Sequence, residues 1–217
     1  MATNQFNFLG LPLVVQDLIT NEIVHNSFPE DRIQLALTSK YCNELVQRAK
    51  PKKIIDQFLI HRSCVYFWDD EGIYAKTKEQ LMEISPNCQI KELQLCHNST
   101  ENYLEVLDML SEATRFATKL DIMTVNHVYE DKIVEFYVKL KHLKSVTVKD
   151  PKLILPYYPS KVKLNFGIDR PGNILEDLAV KSQNCPLSFF ELESRLSLEE
   201  CQQFLQVNEI IGIFDVY

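Results

Sequence analysis

The chain has 217 residues, 46 % of them hydrophobic and 24 % charged, with a formal charge of −7. These values describe an ordinary folded protein that can bury a core without disulfide staples. The acidic balance argues against nucleic-acid binding as the main activity, because phosphate recognition rests on Lys and Arg.

The N-terminal segment carries no positive stretch followed by a long apolar one, so no signal peptide is expected. Nothing approaches the run of about 18 apolar residues that a membrane span needs. Six cysteines, Cys42, Cys64, Cys88, Cys96, Cys185 and Cys201, are scattered without the close pairing of a zinc or redox site. Free thiols without an export signal point to the cytosol or nucleus. Asn98-Ser99-Thr100 matches a glycosylation sequon, which such a compartment would leave unused.

From Leu11 to about Arg48 the chain reads as a compact helical unit. Pro12 suits a first helical turn, where a missing N–H costs nothing. Val15, Leu18, Ile19 and Ile23 then recur at helical spacing. Ser27-Phe28-Pro29-Glu30 has capping-box spacing and opens a second helix, which carries Ile33, Leu35, Ala36, Leu37, Tyr41, Cys42 and Leu45. A segment this apolar needs partners, inside the chain or outside it.

The order Leu11-Pro12, Val15, Leu18-Ile19, Ile23, Asp31-Arg32, Leu35, Leu37, Ser39-Lys40-Tyr41, Leu45 resembles an F-box. The match covers under a fifth of the chain. It departs from the family's usual pattern at Val14, where Glu is common, and at Thr38, where Val or Cys is common. The resemblance implies docking to a Skp-family adaptor and through it to a cullin ligase. Leu11, Pro12, Val15, Leu18, Ile19, Leu35 and Leu37 would then divide between adaptor contact and internal packing. Without that docking, the same residues would form a helical cap on the domain that follows.

Lys50-Pro51-Lys52-Lys53 reads as a seam, because proline disfavours continuing a helix and the charges favour water. It separates a helical module at 8–50 from a second domain at 51–217. Strand-like pieces follow at 64–68, 90–95, 118–123, 143–148, 161–166, 187–192 and 211–216, recurring about every 18 to 27 residues. Helical stretches lie between them. Thr77 to Gln80 and Ser197 to Glu200 have capping-box spacing, 103–117 is helical, and Ile133, Phe136, Tyr137 and Leu140 mark another helix face. The expected fold is α/β: an all-helical F-box followed by an irregular strand–helix solenoid with a parallel sheet.

Leu93-Gln94-Leu95-Cys96-His97-Asn98 resembles the core of a leucine-rich repeat, and the later repeats are degenerate. Divergent repeats after an F-box are similar to the expanded F-box families of nematodes.

No catalytic constellation emerges, and neither a metal nor a cofactor is expected. The five glycines form no phosphate-cradling loop and the five histidines form no ligand pair. Cys96-His97 reads as a core thiol beside a surface imidazole, since neighbours on a strand face opposite ways. Phe67 and Trp68 read as a core pair ahead of a ligand platform. Asp69-Asp70-Glu71 and Glu199-Glu200 read as solvated carboxylates.

Lysines prevail from about Glu130 to Phe166 and acids from Asp169 onward. Both stretches read first as solvated surface; alternatively, a target-binding face with an acidic end at Glu191, Glu193, Glu209 and Asp215 would attract a basic partner. The expected function is that of a ligase substrate receptor, with no chemistry of its own. The alternative is a repeat-type interaction scaffold outside any ligase.

Overall fold

A computed structural model describes residues 6–61, 64–69, 72–96, 103–124, 126–166, 172–182, 185–193, 202 and 204. The chain divides into two compact units, Met1–Ile54 and Ile55–Tyr217.

The first unit holds three helices, α1 (Leu13–Asn26), α2 (Pro29–Thr38) and α3 (Lys40–Arg48). Pro12 stands just before α1, and its carbonyl accepts from the amides of Val15 and Gln16. The second helix starts differently from the expected capping box. Ser27 turns back on α1, donating from Oγ to the Ile23 carbonyl at 2.6 Å. Phe28 occupies the cap position, and its N–H donates to the Asp31 carboxylate at 3.2 Å.

The expected single second helix is also broken at Ser39, which is extended. Its hydroxyl accepts from the Cys42 amide at 3.1 Å and starts α3, the usual role of serine at such a break. Just past α3 stands Lys50, whose φ of 51° is left-handed. Followed by Pro51, that residue stops α3 and turns the chain into the first strand.

The second unit contains an open eight-stranded mixed sheet in the order β3-β2-β1-β4-β5-β6-β7-β8. Its strands are β1 (Lys53–His61), β2 (Cys64–Asp69), β3 (Gly72–Lys76), β4 (Cys88–Leu95), β5 (Lys119–Ile122), β6 (Ser145–Val148), β7 (Lys161–Asn165) and β8 (Phe189–Glu193). The pairs β1–β2 and β2–β3 are antiparallel, whereas β4 through β8 pair in parallel and in chain order.

The purely parallel sheet expected from the sequence is therefore corrected at one end. Strands β1 and β3, unread in the sequence, fold around β2 as an antiparallel meander. The segment 53–61 clusters its apolar residues without strict alternation, and β3 is a short edge strand mostly open to solvent. The piece expected at 211–216 and the helix start at Ser197 lie outside the described residues.

Helices fill most of the crossovers. α4 (Lys78–Ile84) precedes β4, and α5 (Tyr103–Leu110), α6 (Glu130–Lys139) and α7 (Ile174–Lys181) follow β4, β5 and β7. As expected, Thr77 caps α4, its hydroxyl accepting from the Gln80 amide. Helix α7 was not anticipated. Among the described residues no helix is long and apolar enough to cross a membrane.

The core lies on one sheet face. Leu93, Leu120, Val146, Val162 and Phe190 stand in register across five parallel strands, with Leu95, Ile122, Val148, Leu164 and Leu192 as a second row. All ten are buried. Ile133, Phe136 and Tyr137 of α6 and Ile174, Leu175 and Leu178 of α7 belong to the same core cluster. Strict alternation sends polar residues to the opposite face, where Gln94, Asp121, Thr147, Lys163 and Glu191 share a row and remain half-exposed.

The connection from β6 to β7 contains no helix. Leu153, Leu155 and Tyr158 are buried there instead. Tyr137 fastens it, donating its hydroxyl to the Tyr157 carbonyl at 2.8 Å.

Candidate functional site

In the first unit α1 buries two polar residues beside Val24 and exposes several apolar ones. The residues it buries include Gln16, 5 % exposed, and Thr20, 1 % exposed, whereas Val14 is 70 % and Leu18 65 % exposed. Thr20 satisfies its hydroxyl on the Gln16 carbonyl at 2.8 Å. Gln16 makes three bonds. Its Nε2 donates to the carbonyls of Leu9 (3.3 Å) and Leu11 (2.7 Å), and its Oε1 accepts from the Tyr41 hydroxyl (2.6 Å). One buried amide thus ties the chain entering α1 to α3.

Other contacts close the unit from below. The buried Arg32 guanidinium donates to the carbonyls of Val24 and Lys52, and burial lowers its pKa. A ring nitrogen of His25 lies 2.8 Å from the Ala49 carbonyl. Arg48 pairs with Asp17 at 2.7 Å near the surface.

Of the seven residues expected at an adaptor contact, Pro12, Val15, Leu18 and Leu37 are exposed, and Leu11, Ile19 and Leu35 are half-buried. Phe6, Leu9, Leu13, Val14, Ile33 and Tyr41 are exposed as well, and sequence reasoning passed over them as contacts. The run Leu13-Val14-Val15 held a signal, since three consecutive apolar residues on a helix cannot all face one core. Exposed apolar side chains are thus dense on this small module.

We expect Gln16→Leu to release the Leu9–Pro12 segment and the Tyr41 hydroxyl together. Limited proteolysis should then cut near Leu9 several times faster than in the parent chain. Unchanged cleavage would mean that the segment is held by packing alone.

In the second unit the polar sheet face carries two lysines, each bracketed by carboxylates. Lys119 lies 3.1 Å from Glu92 and 3.5 Å from Asp121. Lys163 lies 2.6 Å from Glu191 and 2.9 Å from Glu193. Burial acts to lower the Lys119 pKa, but its bonds and charge interactions with Glu92 and Asp121 outweigh it and raise the value. The hydrogen bond from Lys163 holds Glu193 below the usual carboxylate range.

Glu191 and Glu193, expected to attract a basic target, thus already share a cation from the neighbouring strand. Glu209 and Asp215 lie outside the described residues.

A small cavity of about 40 Å³ opens on this face, lined by Gln57, Trp68, Glu92, Gln94, Lys119 and Asp121 over Phe58 and Leu93. Two sequence readings are corrected here. Phe67 is buried with its ring centroid 5.3 Å from Tyr74, but Trp68 belongs to the opposite face and lines the cavity instead of the core. Cys96 follows the buried Leu95 and is likewise half-exposed rather than a core thiol. Partial burial raises the pKa of that thiol.

Comparison with protein-family models, with curated proteins and with solved structures returns no match for this chain.

Proposed function

We propose that the chain is the substrate-recognition subunit of a Skp-cullin-F-box ubiquitin ligase, docking the adaptor through its N-terminal helices and a target protein through its sheet domain. The observation that carries the reading is the exposed apolar side of helix α1. The helix buries Gln16 and Thr20 and offers Val14 and Leu18 to solvent, and burying that apolar side against another protein would be favourable. The F-box-like order of Leu11, Pro12, Leu18, Leu35 and Leu37 supplies the kind of partner.

The sheet domain is read as a divergent leucine-rich-repeat-like solenoid. In support, β4 to β8 run parallel in chain order, α5, α6 and α7 lie in the crossovers, and two apolar rows repeat on every strand. Such an array leaves one broad polar face for recognition.

The proposed activity is recruitment, with no catalytic step on this chain. Tethering target and ligase together turns a bimolecular encounter into a nearly intramolecular one. Cys42, Cys88, Cys96 and Cys185 are free thiols, which suits a reducing cytosol or nucleus.

The test is co-expression of residues 1–217 with a Skp-family adaptor, followed by size-exclusion chromatography. A one-to-one complex is expected. A folded chain that elutes apart from the adaptor would leave the domain as an interaction scaffold outside any ligase.

A further inference from the structure

We infer that the cavity on the polar sheet face is an anchor for an arginine side chain of a bound polypeptide. Three observations converge on that occupant. The first is charge: two carboxylates, Glu92 and Asp121, line the cavity against a single ammonium, Lys119, so the site is one charge short of neutral.

The second is an unanswered acceptor. Lys119 contacts Oδ2 of Asp121 at 3.5 Å, whereas Oδ1 of the same carboxylate is shielded from solvent and has no hydrogen-bond donor. A buried acceptor left unpaired is costly, and any donor that reaches it recovers that cost. Asp121 lines the cavity, and the terminal torsion of an aspartate is soft, so an entering donor can bond its carboxylate.

The third is shape. A volume of about 40 Å³ accommodates about three water-sized groups, close to the three nitrogens of a guanidinium. Trp68 lines the opening, and guanidinium groups both stack on indoles and bond carboxylates bidentately. The amide groups of Gln57 and Gln94 border the same opening and can bond the peptide that carries the arginine. A lysine ammonium would gain the charge but neither the stacking nor the paired geometry.

The inference concerns the target-recognition half of the proposed function and names the chemistry that this face selects. It lies wholly within Ile55–Tyr217, and its test involves no adaptor. An adaptor that fails to bind and a cavity that fails to bind therefore give separate results.

Trp68 is the only tryptophan in the chain, so its fluorescence and its single indole N–H resonance report this cavity alone. The probes are the blocked tripeptides acetyl-Ala-Arg-Ala-amide and acetyl-Ala-citrulline-Ala-amide, titrated into the full chain. Citrulline keeps the shape of arginine and removes its charge.

Saturable perturbation of Trp68 by the arginine peptide in the millimolar range is expected, with at least about tenfold weaker response to citrulline. Asp121→Asn should weaken arginine binding by about tenfold. Lys119→Met should tighten it several-fold, because the competing ammonium is gone. Equal responses to the two peptides, no response to either, or an Asp121→Asn variant that binds as the parent does would each overturn the assignment. The opposite signs expected for the two variants exclude simple unfolding as the cause.

Discussion

Replacing Val14 and Leu18 together by glutamate is expected to abolish adaptor binding while leaving the fold intact. Both side chains are exposed on α1, so the change removes no internal packing. Substitutions at such positions usually alter stability by no more than about 0.5 kcal/mol. Glutamate also has a higher helix propensity than valine, and at position 14, in the first turn of α1, its charge suits the helix dipole. The thermal midpoint should therefore stay within about 4 °C of the parent value.

Binding should respond very differently. Two charges would be driven into the apolar centre of the proposed interface, where single central residues often contribute about 2 kcal/mol or more. A loss of at least about 100-fold in adaptor affinity is expected, read by co-purification and by titration calorimetry. Retained affinity would remove α1 from the interface. Thr20→Glu provides the contrast: Thr20 is buried, so that charge should unfold the module outright.

The second large effect concerns Tyr137. Its ring is buried on α6, 4.8 Å from the ring of Tyr157. The two tyrosines exchange bonds, the Tyr137 hydroxyl donating to the Tyr157 carbonyl and the Tyr157 hydroxyl donating to the Tyr137 carbonyl at 3.4 Å. This is the fastening of the helix-free crossover between β6 and β7. Tyr137→Ala should cost about 3–5 kcal/mol by analogy with other large aromatic truncations. That is a large share of a typical domain stability of about 5–15 kcal/mol. Tyr137→Phe keeps the ring and should cost only about 1 kcal/mol. Urea unfolding of the three proteins separates packing from hydrogen bonding, and equal losses for both variants would contradict the account.

The same residue sets an alkaline limit. Burial pushes the hydroxyls of Tyr137 and Tyr158 far above the ordinary tyrosine value of 10.0. Unfolding frees them to ionise near their usual value. Below about pH 10 both states are neutral and this stability is fully present; above it only the unfolded chain releases protons, so stability falls. Tyr137→Phe should flatten that alkaline decline.

Much of the sheet could be read in the residues. Leu93 and Leu95, Leu120 and Ile122, Val146 and Val148, and Val162 and Leu164 alternate with polar neighbours, and all eight occupy the buried face of their strands. Period-two alternation is visible because one face is wet and the other dry. Strand β1 escaped because it lies inside the sheet between β2 and β4. Its run Lys53–His61 shows no clean two-residue period. Trp68 reads as half of a core pair with Phe67, but the register pairing it with Gln57 and Ile73 places it on the polar face.

Local chemistry alone thus determined that no helix continues through Lys50-Pro51, and which residues of β4 to β7 point inward. Backbone preferences and alternation act over a few residues, so they survive in one dimension. Tertiary structure decided the rest. Helix α1 carries apolar residues on several sides, and the inward side is set by Tyr41 reaching Gln16 and by Gln16 reaching Leu9 and Leu11. The cavity beside Trp68 exists only where β1, β2, β4 and β5 lie side by side, bringing Gln57, Glu92 and Asp121 together from distant parts of the chain. A net negative charge and an unpaired carboxylate oxygen are properties of that assembly, and no single strand contains them.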